Sequence, residues 1–361
     1  MWRFAMAAMT AATFAIPMAV QAQPAAQPAA APAAAATPAP ASRRNPADPA
    51  TWTIGRAKDY KAPEGVTFRT VSFQSEGVRL HGELYRPTSA PKDAKLPTIV
   101  LAHGWGGTAS GFRTDAVQMV KAGFQVFAFD YRGWGESDGR LILKGTYPDP
   151  MPAGRTFTAQ VEAIRGYVDP WEQAEDWFNA LNFIAGEPGV DADRIGIRGS
   201  SYSGGLVLYV AAHDDRVKAL VSQVGGIGSR PDPANRPQPG SQYYERWKNR
   251  HANGIAMSRG ERGYPEPGAM MGGLVGQPVG DKMSRWWPAE DAYNVTAPAL
   301  FVLAADEELV NNKTNGERAY ERVKGPKKLV TIPGIKHYGI YNEAREQAVD
   351  LAIAWFKEHL K

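Results

Sequence analysis

Strand and helix signals alternate along most of this 361-residue chain, which predicts an α/β fold with a mostly parallel central sheet and helices on both faces. Three observations carry that expectation. Thr98–Ala102, Phe124–Phe129 and Ala299–Ala304 are continuous apolar runs, the pattern of strands covered on both sides. Helical spacing separates such runs, clearest at Trp171, Ala174, Trp177, Phe178 and Leu181. Arg194–Gly205 reads as a strand, a sharp Gly/Ser turn and a helix in immediate succession.

Composition narrows the function classes. Apolar residues make up 43% and charged residues 22%, which is ordinary for a globular protein. Basic residues number 41 and acidic residues 37, and no Lys/Arg run is long enough for a nucleic-acid arm, so no nucleic-acid partner is expected. Cysteine is absent, which excludes disulfides, thiolate catalysis and Cys-based metal sites.

Taken in order, residues 1–22 read as a secretory signal. Arg3 gives the positive start, Phe4–Val20 the apolar run, and Val20-Gln21-Ala22 the small residues a signal peptidase requires. The run is shorter than the roughly 20 residues of a bilayer span and contains Pro17, so no span is expected in the mature protein. Residues 23–50 are rich in Ala, Pro and Gln and read as a disordered tether, because they cannot bury enough apolar surface to offset their ordering entropy. The expected location is the periplasm or outside the cell, and a cysteine-free chain suits that oxidising compartment.

The globular domain is expected over residues 51–361. Thr67–Phe73 and Val78–Tyr85 alternate and suggest an antiparallel pair. Strand Thr98–Ala102, helix Asp115–Lys121 and strand Phe124–Phe129 follow. Gly139–Asp169 breaks the rhythm as an irregular insertion, after which come helix Trp171–Ile184, strand Arg194–Ile197 and helix Leu206–Ala212. Val217–Val224, Ala299–Ala304 and Lys328–Ile332 read as further strands, and Glu343–Leu360 as a final helix. Residues 225–297, rich in Pro, Gly and aromatics, are too long for an ordinary connection and are expected to form a lid over the strand ends.

The chemistry centres on Gly199-Ser200-Ser201-Tyr202-Ser203-Gly204-Gly205. A sharp strand-to-helix turn demands small residues two before and two after an exposed nucleophile, and Gly199 and Ser203 meet that demand around Ser201. The motif departs from G-x-S-x-G in having Ser203 at its last position. Two rivals remain. Ser200 has Arg198 crowding the turn, and Ser203 has small neighbours at Ser201 and Gly205 but lies further into the helix.

A serine hydroxyl needs a base. Of the 6 histidines, His337 follows the strand ending at Ile332 and precedes the last helix, a position from which a side chain reaches back over the strand ends. His103 reads as structural, and His81, His213, His251 and His359 as surface or lid residues. A carboxylate must orient the base. Asp306, Glu307 and Glu308 follow strand Ala299–Leu303; Asp306 is the usual residue type, whereas spacing favours Glu307. The glycines of His103-Gly104-Trp105-Gly106-Gly107 allow backbone N–H groups to turn into a site, and the amides of Trp105 and Tyr202 are the natural oxyanion pair.

Together these residues resemble the α/β-hydrolase superfamily over about residues 75–361. They run in its order: His-Gly-Trp-Gly-Gly, Asp130-Tyr131-Arg132-Gly133-Trp134-Gly135-Glu136-Ser137, the Ser201 elbow, an acid and His337. The resemblance implies an α/β-hydrolase fold with an inserted lid, and a structural part for the Asp130–Ser137 loop. The long elbow and its Asp193-Arg194-Ile195 lead-in are most similar to the dienelactone-hydrolase-like and Xaa-Pro dipeptidyl-peptidase-like branches. The former would use a Cys nucleophile and the latter would usually add a β-sandwich; the sequence offers neither.

The reading is a secreted serine hydrolase acting on carboxylic esters, with a serine peptidase or amidase as second choice and an acyltransferase as third. A small ester or short peptide is the expected partner. No metal or other cofactor is expected, since nothing resembles a metal cluster, phosphate loop or dinucleotide turn. Trp105, Tyr243, Trp247 and Trp286 are the candidate lining of a substrate pocket. Oligomeric state is left open.

Overall fold

Residues alternate between two buried layers along each inner strand, as the two-residue repeat of an extended chain requires. The computed structural model describes residues 56–361 apart from 155, 231–238, 240–241, 262–263, 266–269 and 272–273. The expected signal and tether lie outside the described residues.

The main sheet has eight strands: β1 (Val66–Ser75), β2 (Val78–Pro87), β3 (Leu96–Ala102), β4 (Gln125–Phe129), β5 (Val190–Ser200), β6 (Val217–Gln223), β7 (Ala299–Ala304) and β8 (Lys327–Ile332). Their spatial order is β1-β2-β4-β3-β5-β6-β7-β8. β2 runs antiparallel to β1 and β4, and every other pairing is parallel. Helices α1 (Arg113–Lys121), α2 (Pro170–Ala185), α3 (Tyr202–His213), α4 (Gln242–Ser258), α5 (Gly316–Arg322) and α6 (Arg345–His359) are joined by shorter turns of helix.

β3 and β4 show how the two faces are built. Val100, Ala102, Phe127 and Phe129 join Trp177 and Leu181 of α2 and Leu206 and Val207 of α3. The intervening Ile99, Leu101, Val126 and Ala128 join Ala116, Met119 and Val120 of α1 and Ala348, Ala352 and Phe356 of α6. The central strands are therefore apolar on both sides, and each fully buried Val, Leu, Ile or Phe stabilises the fold by about 1.5–3 kcal/mol. α2 begins cleanly because the Asp169 carboxylate accepts from the amides of Trp171 and Glu172 and Pro170 occupies the first helical position.

Several elements differ from expectation. β5 continues past Ile197 to Ser200, since Gly199 still pairs with Ala102 and Ser200 with Gln223. The insertion at 139–169 contains an antiparallel hairpin, Arg140–Leu143 with Val161–Ile164, and Tyr167–Val168 pairs in parallel with Gln277–Pro278. The 225–297 segment carries α4 and two short helices, Gly280–Ser284 and Pro288–Asp291. α5 lacks an extended apolar run that would mark it in the sequence; it packs through Ala319, and Val323 just beyond its end joins the same core. His81 is not a surface residue. It is buried in β2 with Glu83, whose carboxylate accepts from Arg113 and Tyr85. Strands on both sides of β2 and α1 above it remove from water a face whose polar residues suggested exposure.

Candidate active site

The turn between β5 and α3 holds Ser201 in an unusual backbone state, φ 55° and ψ −122°. A side chain in the positive-φ region is strained, and such strain persists only where the surroundings over-determine it. Here the Ser201 amide donates to the Gln223 carbonyl at 2.9 Å, and the Ser201 carbonyl accepts from the amides of Gly204 and Gly226, each at 2.8 Å. The turn also needs a hydrogen at position 199, because a Cβ there would overlap the Ser203 carbonyl.

The three neighbouring serines separate by environment. Ser200 and Ser203 are fully buried, while Ser201 is half-exposed. Ser203 Oγ lies 2.7 Å from the Tyr131 hydroxyl, which also accepts from Trp177 Nε1 at 2.8 Å. Ser200 Oγ lies 2.7 Å from the Tyr341 hydroxyl and accepts from Gln223 Nε2 at 3.1 Å. Ser201 Oγ lies 2.9 Å from His337 Nε2.

His337 is buried in a turn of 3₁₀-helix after β8, at residues His337–Tyr341. Its Nδ1 lies 2.9 Å from each carboxylate oxygen of Glu307, so that carboxylate can accept a hydrogen bond from Nδ1–H and leave Nε2 free to accept from serine. Glu307 is itself fixed, because Oε1 accepts from the amides of Leu309 and Val310 at 2.9 and 3.2 Å. Asp306 is exposed, and its amide ties the loop to the Ile335 carbonyl at 3.0 Å. Glu308 accepts from the His337 amide at 2.9 Å, and that bond holds its carboxyl below the usual range. The structure thus brings Ser201, His337 and Glu307 together and leaves Asp306 aside.

Over the turn runs the loop after β3. A Cβ on Gly104 would lie 2.9 Å from the Ser200 carbonyl and 3.0 Å from Ser201 Cβ, so only glycine allows this approach. Trp105 follows, its ring edge-on to Tyr202 at 5.8 Å between centroids and its Nε1 donating to the Gly276 carbonyl at 3.0 Å. Tyr202 opens α3, where the amide has no intrahelical acceptor. Among the described residues neither the Trp105 nor the Tyr202 amide donates a hydrogen bond elsewhere.

The side chains of Tyr243 and Trp247 lie outside the described residues. Trp286 is buried, with its ring 5.1 Å from Trp171 and 4.7 Å from Tyr209, so it packs the 280s onto α2 and α3. Asp130 is buried and accepts from the amides of Ala109 and Glu136 at 2.6 and 2.8 Å; burial pushes its carboxyl up to about 6. Those bonds tie the 130s loop to the segment after β3 and leave Asp130 a structural part. Among the described residues no group of His, Asp and Glu could hold a metal ion, and no helix is long and apolar enough to cross a membrane. Sequence reasoning did not single out Gln223 and Tyr341. Their importance depends on β6 lying beside β5 and on the turn that carries His337.

The profile of the X-Pro dipeptidyl-peptidase (S15) family matches residues 76–238, and that of the BAAT/acyl-CoA thioester hydrolase C-terminal region matches residues 175–333. In solved structures the same sheet and helices recur in the α/β-hydrolase GrgF from Penicillium sp. sh18, with a TM-score of 0.60, 19% identity, and 81% of this chain and 99% of that one covered. The chain has the α/β-hydrolase fold. Acetyl xylan esterase from Paenibacillus sp. R4 shares the fold at a TM-score of 0.55 and 22% identity, covering 80% of this chain and 84% of that one. An uncharacterized 31.7 kDa Escherichia coli protein from the traX-finO intergenic region is 29% identical over 74% of this chain and 92% of its own length. The thiohydrolase aneE of Aspergillus aculeatus is 32% identical over 45% of this chain, a match spanning 43% of that relative.

Proposed function

We propose that the protein is an exported serine hydrolase that cleaves carboxylic esters through an acyl-enzyme. The supporting observation is the continuous path from Ser201 Oγ to His337 Nε2 at 2.9 Å and from His337 Nδ1 to Glu307 at 2.9 Å. Ser201 Oγ attacks the carbonyl carbon while His337 Nε2 takes its proton, and Glu307 stabilises the resulting imidazolium. The carbonyl oxygen becomes an oxyanion received by the Trp105 and Tyr202 amides; such donors are each worth roughly 2.7–4 kcal/mol. The N-terminal end of α3 adds a favourable partial charge there. His337 then returns the proton to the leaving alcohol. Water repeats the sequence on the acyl-enzyme, releasing the acid and regenerating Ser201.

An ester substrate accords with the esterase and thiohydrolase among the similar proteins and with the thioester-hydrolase profile. The S15-family match keeps a peptidase as the second reading, since it covers the elbow. Hydrolysis of p-nitrophenyl acetate and butyrate, set against aminoacyl and prolyl anilides, separates the two. Turnover of the esters with silence on the anilides supports the proposal, and the reverse result replaces it. An acyl acceptor that raises turnover above hydrolysis would instead indicate a transferase. Export is tested by sequencing the mature N-terminus, which is expected near Gln23 in the periplasmic or extracellular fraction; an intact Met1 in the cytoplasm would refute it.

A further inference from the structure

Behind Ser201 lies a buried polar chain that the steps above leave unused. Arg198, three residues before Ser201, is buried and donates from Nη1 to Asp115 and from Nη2 to Gln223 Oε1, each at 2.8 Å. Arginine only donates, so its contact fixes the Gln223 amide with oxygen toward Arg198 and nitrogen toward Ser200. Gln223 Nε2 accordingly donates to Ser200 Oγ at 3.1 Å, and that hydroxyl meets Tyr341 at 2.7 Å. The Gln223 backbone carbonyl meanwhile holds the Ser201 amide. Tyr341 stands four residues after His337 in the same 3₁₀ turn, with its ring 6.4 Å from the imidazole.

The chain therefore has one end in β5 and β6 beneath the serine and the other in the turn that carries the base. Burial pushes the Tyr341 phenol up to about 12, so it keeps its proton at neutral pH. Asp115 anchors the far end, because it also accepts from Arg345 of α6 at 2.8 Å. Although Arg198 Nε has no partner among the described residues, a connected chain of buried hydrogen bonds holds its members more rigidly than isolated bonds would.

We propose that Tyr341 is a positioning residue for acylation: its hydroxyl, joined to Ser200 and through Gln223 to Arg198, clamps the His337 turn to the serine turn and keeps Nε2 on Ser201 Oγ. This inference rests on the proposed role of Ser201 as nucleophile. Loss of the clamp would loosen the serine–imidazole alignment without altering the substrate's surroundings, so it should appear in kcat and not in KM.

The test uses Tyr341→Phe, which keeps the ring, and Ser200→Ala, which removes the other hydroxyl. Each is expected to lower both the fluorophosphonate labelling rate of Ser201 and kcat on p-nitrophenyl acetate by about tenfold, with KM changed less than about twofold. The double variant should be no slower than the worse single variant, since both break one link. Wild-type labelling rates in Tyr341→Phe, a loss residing in KM, or losses that multiply in the double variant would each overturn the inference. Ser201→Ala separates the two levels. If it still takes label, the nucleophile assignment and this inference fall together; if it does not, a wild-type rate in Tyr341→Phe removes only the clamp.

Discussion

Both carboxylate oxygens of Glu307 lie 2.9 Å from Nδ1 of His337, while the adjacent Asp306 is exposed. One residue of loop therefore decides which acid can orient the base. Glu307→Gln is expected to lower kcat by about 10³–10⁴-fold, the scale of a lost orienting carboxylate, because the amide favours the wrong imidazole tautomer. Asp306→Asn should leave kcat near wild type. Steady-state kinetics on one p-nitrophenyl ester settles the matter, and an unaffected Glu307→Gln enzyme would remove Glu307 from the mechanism.

Ser203 is buried against Tyr131 and does not share the exposure of Ser201. Ser203→Ala should therefore keep fluorophosphonate labelling. It should lose about 1–2 kcal/mol of stability, because the Tyr131 hydroxyl loses one buried partner. Urea unfolding and mass spectrometry of the labelled peptide read the two effects separately. A label lost with Ser203→Ala and kept with Ser201→Ala would reverse the assignment.

Gly104 touches the serine turn so closely that a methyl group must displace either Ser201 or the Trp105 loop. Gly104→Ala is expected to reduce kcat on the order of 10²–10³-fold, the scale of one lost oxyanion donor. The melting temperature should fall little, since the loop can shift into the site without opening the core. An active Gly104→Ala enzyme would show that the Trp105 amide does not serve the oxyanion.

Burial pushes the Asp130 carboxyl up to about 6 in the folded chain from an ordinary value of 3.8. The folded state then holds a proton that the unfolded state has lost between those two values, so this group's contribution to stability falls as pH rises through that window. Above the window the penalty is constant, on the order of 3 kcal/mol. The stability of wild type minus that of Asp130→Asn should accordingly be greater at pH 4 than at pH 7. Urea titrations of both proteins at the two pH values check the sign, and a pH-independent difference would refute it.

Much of this arrangement is legible in the residues. Continuous apolar runs locate the inner strands because both faces of the sheet are covered, and β7 has its expected limits at Ala299 and Ala304. The serine turn is legible because its crowding restricts residue size at Gly199 and Ser203. Glu307 could be favoured by spacing alone, as its carboxylate must reach the Leu309 and Val310 amides and the imidazole together. Other features were hidden for a definite reason. Gln223 and Tyr341 meet Ser200 only because strands distant in sequence become neighbours, and no local period records that. His81 misled because an alternating strand implies a wet face, whereas this one is covered by α1 and occupied by Glu83 and Arg113.

The amide and carbonyl of Ser201 are both tethered to residues at the end of β6, where the long 225–297 excursion departs. That junction anchors the strained backbone beneath the Ser201 hydroxyl. Warming or a proteolytic nick that slackens it by a single residue would silence the enzyme while its eight-stranded scaffold stayed whole. Thermal inactivation should then run ahead of the loss of the circular-dichroism signal.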